Sequence, residues 1–159
     1  MDTRINQQEK VLIVGVITYT NNEIAVKEHL NELSLLVETA GGEVVGKITQ
    51  KISRINPATL VGMGKAKQII SQAKEIGAKL IIFDDELSPA QIKNYHKMSK
   101  KIKTLDRNGL ILDIFKNHAR TKEAITQVNL AYLEYLLPRL TRQWTHLERQ
   151  MGGIGARAG

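Results

Sequence analysis

Apolar positions fall into two kinds of run, short continuous ones and longer ones at helical spacing. Val11 to Ile17 is continuous and flanked by polar residues, the pattern of a strand buried on both faces of a parallel sheet. Val26, Leu30, Leu33, Val37 and Ala40 then step by four, three, four and three positions. They form one helical stripe, which Gly41-Gly42 stops. Val44 to Thr49 reads as a second strand. After an irregular stretch from Gln50 to Met63 containing Pro57, the residues Ala66, Ile69, Ile70, Ala73 and Ile76 predict a second helix that runs up to Gly77. Leu80 to Phe83 is a third buried strand. Ser88-Pro89-Ala90-Gln91 combines an N-cap serine, a proline at the first helical position and a glutamine three residues after the cap, so a third helix starts there. Ile102 to Leu105 is a short fourth strand, and Asp106 caps a helix with Leu110, Ile111, Ile114 and Phe115 on its apolar face.

Strands alternating with helices at these separations give βαβ units. The expected fold is α/β, a parallel four-stranded sheet flanked by helices, over residues 1–118. From Thr121 the pattern changes. Ile125, Val128, Tyr132 and Tyr135 form one helical stripe and Leu130, Leu133 and Leu137 another, so this helix needs partners on two sides. Pro138 kinks or ends it. Leu140, Trp144, Leu147 and Met151 resume helical spacing before Gly152-Gly153-Ile154-Gly155. Residues 119–159 are therefore expected to form a helical subdomain with a glycine-rich tip.

Composition narrows the class. At 159 residues a chain buries roughly 70% of its unfolded surface, enough for a core without staples or metals. No apolar run approaches the ~18 residues of a membrane span, and Met1 to Lys10 is too polar for a signal peptide. The absence of cysteine excludes a disulfide framework and thiolate chemistry, and a cytosolic protein is expected. Charge is polarised. Residues 1–46 carry 3 basic and 7 acidic side chains, while residues 47–159 carry 20 and 9, within a net charge of +7. Such a chain can offer one basic face to a polyanion.

The chemistry-bearing candidates are few. Gly62-Met63-Gly64-Lys65 invites a phosphate-loop reading, but Thr59 stands where a Walker A loop needs its first glycine and Ala66 where it needs Ser or Thr. A glycine turn leading into a helix is the plainer reading, with Gly62, Gly64 and Lys65 kept as candidate anion or nucleotide contacts. Asp84-Asp85-Glu86 follows the third strand, where ligands of open α/β sheets gather. Carboxylates also favour helix N-termini, and no metal site is expected. The four histidines lie on separate elements without ligand-like spacing, and no activated nucleophile is visible. Arg139, Arg142, Arg149 and Arg157 surround Trp144 and the glycine tip. Guanidinium forks suit phosphate, and with only 7 aromatic residues any RNA contact should be to backbone and shape.

Several strings carry a resemblance. Leu60-Val61-Gly62-Met63-Gly64-Lys65, Phe83-Asp84-Asp85-Glu86-Leu87-Ser88-Pro89-Ala90-Gln91, Asp106-Arg107, Ile111-Leu112-Asp113-Ile114-Phe115, Ala119-Arg120-Thr121-Lys122-Glu123, Pro138-Arg139-Leu140 and Gly152-Gly153-Ile154-Gly155 together resemble the HflX family of ribosome-associated GTPases, over about residues 44–159. The resemblance implies an amino-terminal α/β domain, a pair of long helices joined at a glycine-rich tip, and then a GTP-binding domain. This chain has no Walker A loop and no Asn-Lys-x-Asp motif, so a non-enzymatic amino-terminal fragment with a truncated helical hairpin is expected. GTP and magnesium would belong to the full-length protein. The implied partners are the large ribosomal subunit with its rRNA and the chain's own G domain; the implied activity of full-length members is splitting stalled ribosomes under stress. Arg139, Arg142, Arg149, Gly152, Gly153, Gly155 and Arg157 fall in the tip region and are the expected rRNA contacts. The fragment is expected to be cytoplasmic and ribosome-associated, and to form a homodimer through the helix left without its partner.

Overall fold

The computed structural model describes residues 8–139. Four strands, β1 (Glu9–Ile17), β2 (Gly42–Lys51), β3 (Leu80–Phe83) and β4 (Lys103–Asp106), form one sheet in the order β2-β1-β3-β4. Every pairing is parallel. The continuous apolar runs take the centre: Val11 to Val14 and Leu80 to Phe83 are buried throughout, because a strand covered by helices on both faces has no polar side. The sheet is therefore the parallel four-stranded βαβ arrangement that the periodicity implies.

Five helices surround it: α1 (Glu23–Thr39), α2 (Met63–Glu75), α3 (Pro89–Met98), α4 (Arg107–His118) and α5 (Lys122–Leu136). Right-handed crossovers put α1 on one face, where it meets α4, and α2 and α3 on the other. Local chemistry sets most helix starts. Asn22, Ser88, Asp106 and Thr121 each accept a hydrogen bond from a first-turn amide, and Ser88 and Gln91 complete a capping box. Gly41, at φ +92°, turns the chain out of α1 in a conformation that favours glycine. Gly42 already belongs to β2, so the strand is longer at both ends than Val44 to Thr49.

Two expectations about helix faces need correction. α4 buries Gly109, Leu110 and Asp113, while Phe115 is 56% exposed. The helix is gripped by both the sheet and α5, and its buried face is rotated away from Phe115. On α5, Tyr132 and Leu136 are buried and Val128 and Tyr135 half-buried, leaving Ile125, Leu130, Leu133 and Leu137 exposed. The unpartnered stripe thus consists of aliphatic side chains, with the tyrosines turned inward. A 3-10 turn, Leu137–Arg139, follows α5 and reaches α3. The second helical piece expected over Leu140 to Met151 and the glycine tip lie outside the described residues.

Candidate functional site

The strand order reverses at β1, whose neighbours β2 and β3 both follow it in the chain, so the carboxyl ends of β1 and β3 frame the switch point where α/β folds gather ligands. Two aspartates occupy it. Asp85 Oδ2 accepts from the backbone N–H of Val16 at 3.0 Å. Burial is the largest influence on the Asp85 carboxyl and pushes its pKa up; the Val16 hydrogen bond works against that, and neighbouring Asp84 adds to it. Asp84 instead faces Arg107, from the first turn of α4, whose Nε and Nη2 lie 2.7 and 2.6 Å from Asp84 Oδ1. The same guanidinium donates from Nη2 to the His29 carbonyl at 3.0 Å and approaches Glu32 at 3.7 Å. His29 Nδ1 lies 3.9 Å from Asp84 Oδ2. Arg107 therefore ties α1, β3 and α4 together across the crevice.

Asp106, at the end of β4, is fully buried. Its carboxylate accepts from Leu87 N at 2.9 Å, Gly109 N at 3.0 Å and the Tyr135 hydroxyl at 2.5 Å. Burial first, and the Asp106 charge second, push the Tyr135 hydroxyl well above its ordinary pKa, so it stays a donor. A Cβ on Gly109 would lie 2.7 Å from that hydroxyl oxygen. Any larger residue there would force the Tyr135 ring to shift. Arg139 completes the latch: its guanidinium carbon stacks 4.0 Å from the centre of the Tyr135 ring, Nη1 donates to the Tyr135 carbonyl at 2.8 Å and Nη2 to the Leu87 carbonyl at 3.4 Å.

The other candidates separate. Gly62 is the N-cap of α2, with no side-chain cap and open space around it, as around Gly64. Lys65 is exposed in the first turn. The strained residue is Leu60, at φ 69°, in a loop pinned to α3 by donors from Gln91 to Asn56 O, Asn94 to Ala58 O and Tyr95 to Thr59 O. Arg142, Arg149, Gly152, Gly153, Gly155 and Arg157 lie outside the described residues. No group of three or more His, Asp or Glu side chains able to hold a metal occurs among the described residues, and no described helix is long and apolar enough to cross a membrane. Sequence reasoning found the aspartate string but missed its partners. His29 and Arg107 are 78 residues apart, and only the crossover that sets α1 beside α4 brings them together.

Comparison with known proteins agrees with this architecture. Residues 27–116 match the family described as GTP-binding GTPase N-terminal, and residues 118–159 match GTP-binding GTPase Middle Region. The chain is 53% identical over 149 residues to GTPase HflX of Flavobacterium psychrophilum, covering 94% of this chain and 36% of that protein. To GTPase HflX of Escherichia coli it is 42% identical over 157 residues, covering 99% and 36%. The chain thus spans about a third of the length of these curated relatives. Among solved structures, a GTP-binding protein from Sulfolobus solfataricus in complex with GDP superposes with a TM-score of 0.63 at 27% identity, over 89% of this chain and 42% of that one. With a parallel α/β sheet latched to a following helix, and with relatives at this level of identity, the chain belongs to the HflX family of GTPases, whose amino-terminal and middle regions it matches.

Proposed function

We propose that this chain is the ribosome-docking part of an HflX-type GTPase, with an α/β domain over residues 1–118 and a helical subdomain over 119–159 that binds rRNA of the large ribosomal subunit. The observation that carries this reading is the latch at Asp106, Tyr135 and Arg139. It fixes the carboxyl end of α5 to the end of β4 and Arg139 to the Leu87 carbonyl, immediately before the stretch of sequence that carries Arg142, Arg149 and Arg157. Arg142, Arg149 and Arg157, with Gly152, Gly153 and Gly155, are the proposed RNA contacts. Arg139, whose guanidinium is engaged inward, anchors them. In the full-length protein the same docking serves ribosome splitting under stress in the cytoplasm, with GTP and magnesium held by the separate G domain. The fragment by itself neither binds GTP specifically nor hydrolyses it; isothermal titration with GTP should show no micromolar binding.

Co-sedimentation with separated ribosomal subunits across a salt series tests the reading. Counterion release makes phosphate-dominated binding fall steeply with salt. The expected result is salt-sensitive association with the large subunit, weakened when Arg142, Arg149 and Arg157 are replaced by Gln. Binding to neither subunit, or binding indifferent to that triple change, overturns it.

A second reading rests on the exposed stripe of Ile125, Leu130, Leu133 and Leu137. It serves as a surface for the rest of a longer protein, and in this fragment for a second copy. Light scattering at rising concentration should show dimers that the double change Leu130→Glu and Leu133→Glu abolishes; a strictly monomeric chain counts against it.

A further inference from the structure

Strand polarity sorts the charge of this molecule. β3 follows Lys79 and is followed by Asp84 and Asp85, while β4 follows Lys100 and Lys101 and ends at Asp106. Four extended residues at about 3.3 Å each hold the lysines and the carboxylates roughly 13 Å apart or more, at opposite ends of the sheet. Across the strands the lysines line up. Lys79 N donates to the Lys10 carbonyl at 2.9 Å, and Lys103 N donates to the Lys79 carbonyl at 3.1 Å. Lys97 joins them from the last turn of α3. Glu43, opposite Lys10 on β2, marks the border of the row.

Lys10, Lys79, Lys97, Lys100 and Lys101 are exposed and form no ion pair among the described residues. A helix dipole accounts for a lysine at the end of α3. It does not account for those that precede or open three neighbouring strands. No exposed large apolar side chain falls between residues 64 and 114, and near the amino end of β2 the exposed Leu35 of α1 is a single aliphatic side chain, so the segments carrying Lys79 and Lys97 to Lys101 offer neither the wedge that enters a lipid surface nor the aromatic platform that stacks single-stranded bases. What remains is a row of point charges backed by rigid strands, bordered by Glu9, Glu43 and Glu75, with Asp84, Asp85 and Asp106 at the far ends of the strands.

We infer that the lysine row at the amino end of the sheet, Lys10, Lys79, Lys97, Lys100 and Lys101, is a second RNA contact that binds the phosphate backbone of duplex or tightly folded RNA by charge and shape. Its choice of RNA as partner rests on the ribosomal reading above. Its location does not, because the row lies at the end of the sheet opposite the latch. Two separated contacts would fix the orientation of the domain on a large RNA surface, which a single contact cannot do.

The test uses the whole chain and a fluorescein-labelled RNA duplex of about two turns, read by anisotropy over a salt series. Two charge-matched triples are compared: Lys79→Gln, Lys100→Gln, Lys101→Gln at the amino end, and Lys51→Gln, Arg54→Gln, Lys67→Gln towards the carboxyl end. Each phosphate contact contributes about 0.9 to the log–log salt slope on a duplex, so the first triple should flatten the slope by about 2 to 3 and weaken binding roughly 10- to 100-fold. The second should do far less. Equal losses from both triples, no loss from the first, or row-dependent binding to phosphatidylserine vesicles without row-dependent binding to RNA would overturn the inference. Subunit sedimentation separates it from the wider reading. If wild-type chain sediments with large subunits but the first triple changes nothing in either assay, the row fails alone; if duplex binding depends on the row while no subunit is bound, the row stands and the ribosomal reading fails.

Discussion

At the carboxyl end of the sheet each aspartate has a job inside the fold: Asp84 holds Arg107, Asp85 holds Val16, and Asp106 holds Leu87, Gly109 and Tyr135. At the amino end Lys10, Lys79, Lys100 and Lys101 reach into solvent. These two sets of side chains carry opposite charge and use it differently. Carboxylates at strand ends sit beside the uncapped amides of the next helix and are short enough to be buried with them. Lysines at strand starts have long stems and lose little by staying hydrated. One end is therefore built for connection and the other for an external partner.

The largest expected effect comes from cutting the connected end at its centre. Asp106→Ala strips the cap from α4 and leaves the Leu87 and Gly109 amides and the Tyr135 hydroxyl without their acceptor. An unsatisfied buried donor costs about 1 to 3 kcal/mol and a lost cap about 1 kcal/mol, so a loss of about 4 kcal/mol is expected in urea denaturation. A loss below about 1 kcal/mol would mean that water replaces the carboxylate. Next comes a buried titratable group near the start of β4. His96 Nε2 accepts from Thr104 N at 2.9 Å; burial, and then the Lys103 charge, push its pKa down to about 3. Because the folded value lies below the ordinary 6.5, the unfolded chain binds the extra proton. Stability is full above about pH 6.5 and falls by at most about 1.4 kcal/mol per pH unit between there and pH 3. His96→Gln should flatten that acid limb while leaving the lysine row able to bind. A third step, Tyr135→Phe, removes one donor to Asp106 and should cost about 1 kcal/mol. It should also expose α5 amides to hydrogen exchange before those of the sheet.

Much of this asymmetry could be read along the chain. Strands β1 and β3 announce themselves because a run buried on both faces is apolar without interruption, and Ser88 and Asp106 because capping is decided within three residues. What escaped was every decision made between elements. Periodicity gives the width of an apolar stripe but not the number of neighbours, so α4 seemed to need Phe115 inside when it buries Asp113 and Gly109 instead. The aspartate string was visible, yet Arg107 and His29 could be assigned to it only after the crossover set α1 against α4. Tyr135 looked like core; that its hydroxyl would select a glycine at position 109 is legible only in three dimensions. The lysines were visible as a charge run, but their separation from the carboxylates depends on strand direction.

The smallest expected effect probes whether the carboxyl end is fully relaxed. Asp85 spends burial on a carboxylate whose pKa is raised by that burial. A raised folded value means that the folded chain holds its proton more tightly than the unfolded one, so the favourable contribution is present below the ordinary 3.8 and disappears as pH rises through the folded value. At neutral pH the charge at Asp85 therefore opposes folding. Asp85→Asn keeps an oxygen to accept from Val16 and removes that charge. The variant should be slightly more stable than wild type at pH 7, and the gain should shrink to nothing as pH falls towards 3. Paired urea titrations at the two pH values decide it. A variant weaker than wild type at pH 7 would mean that the charge strengthens the Val16 hydrogen bond by more than its burial costs, and that the carboxyl end of the sheet is optimised throughout.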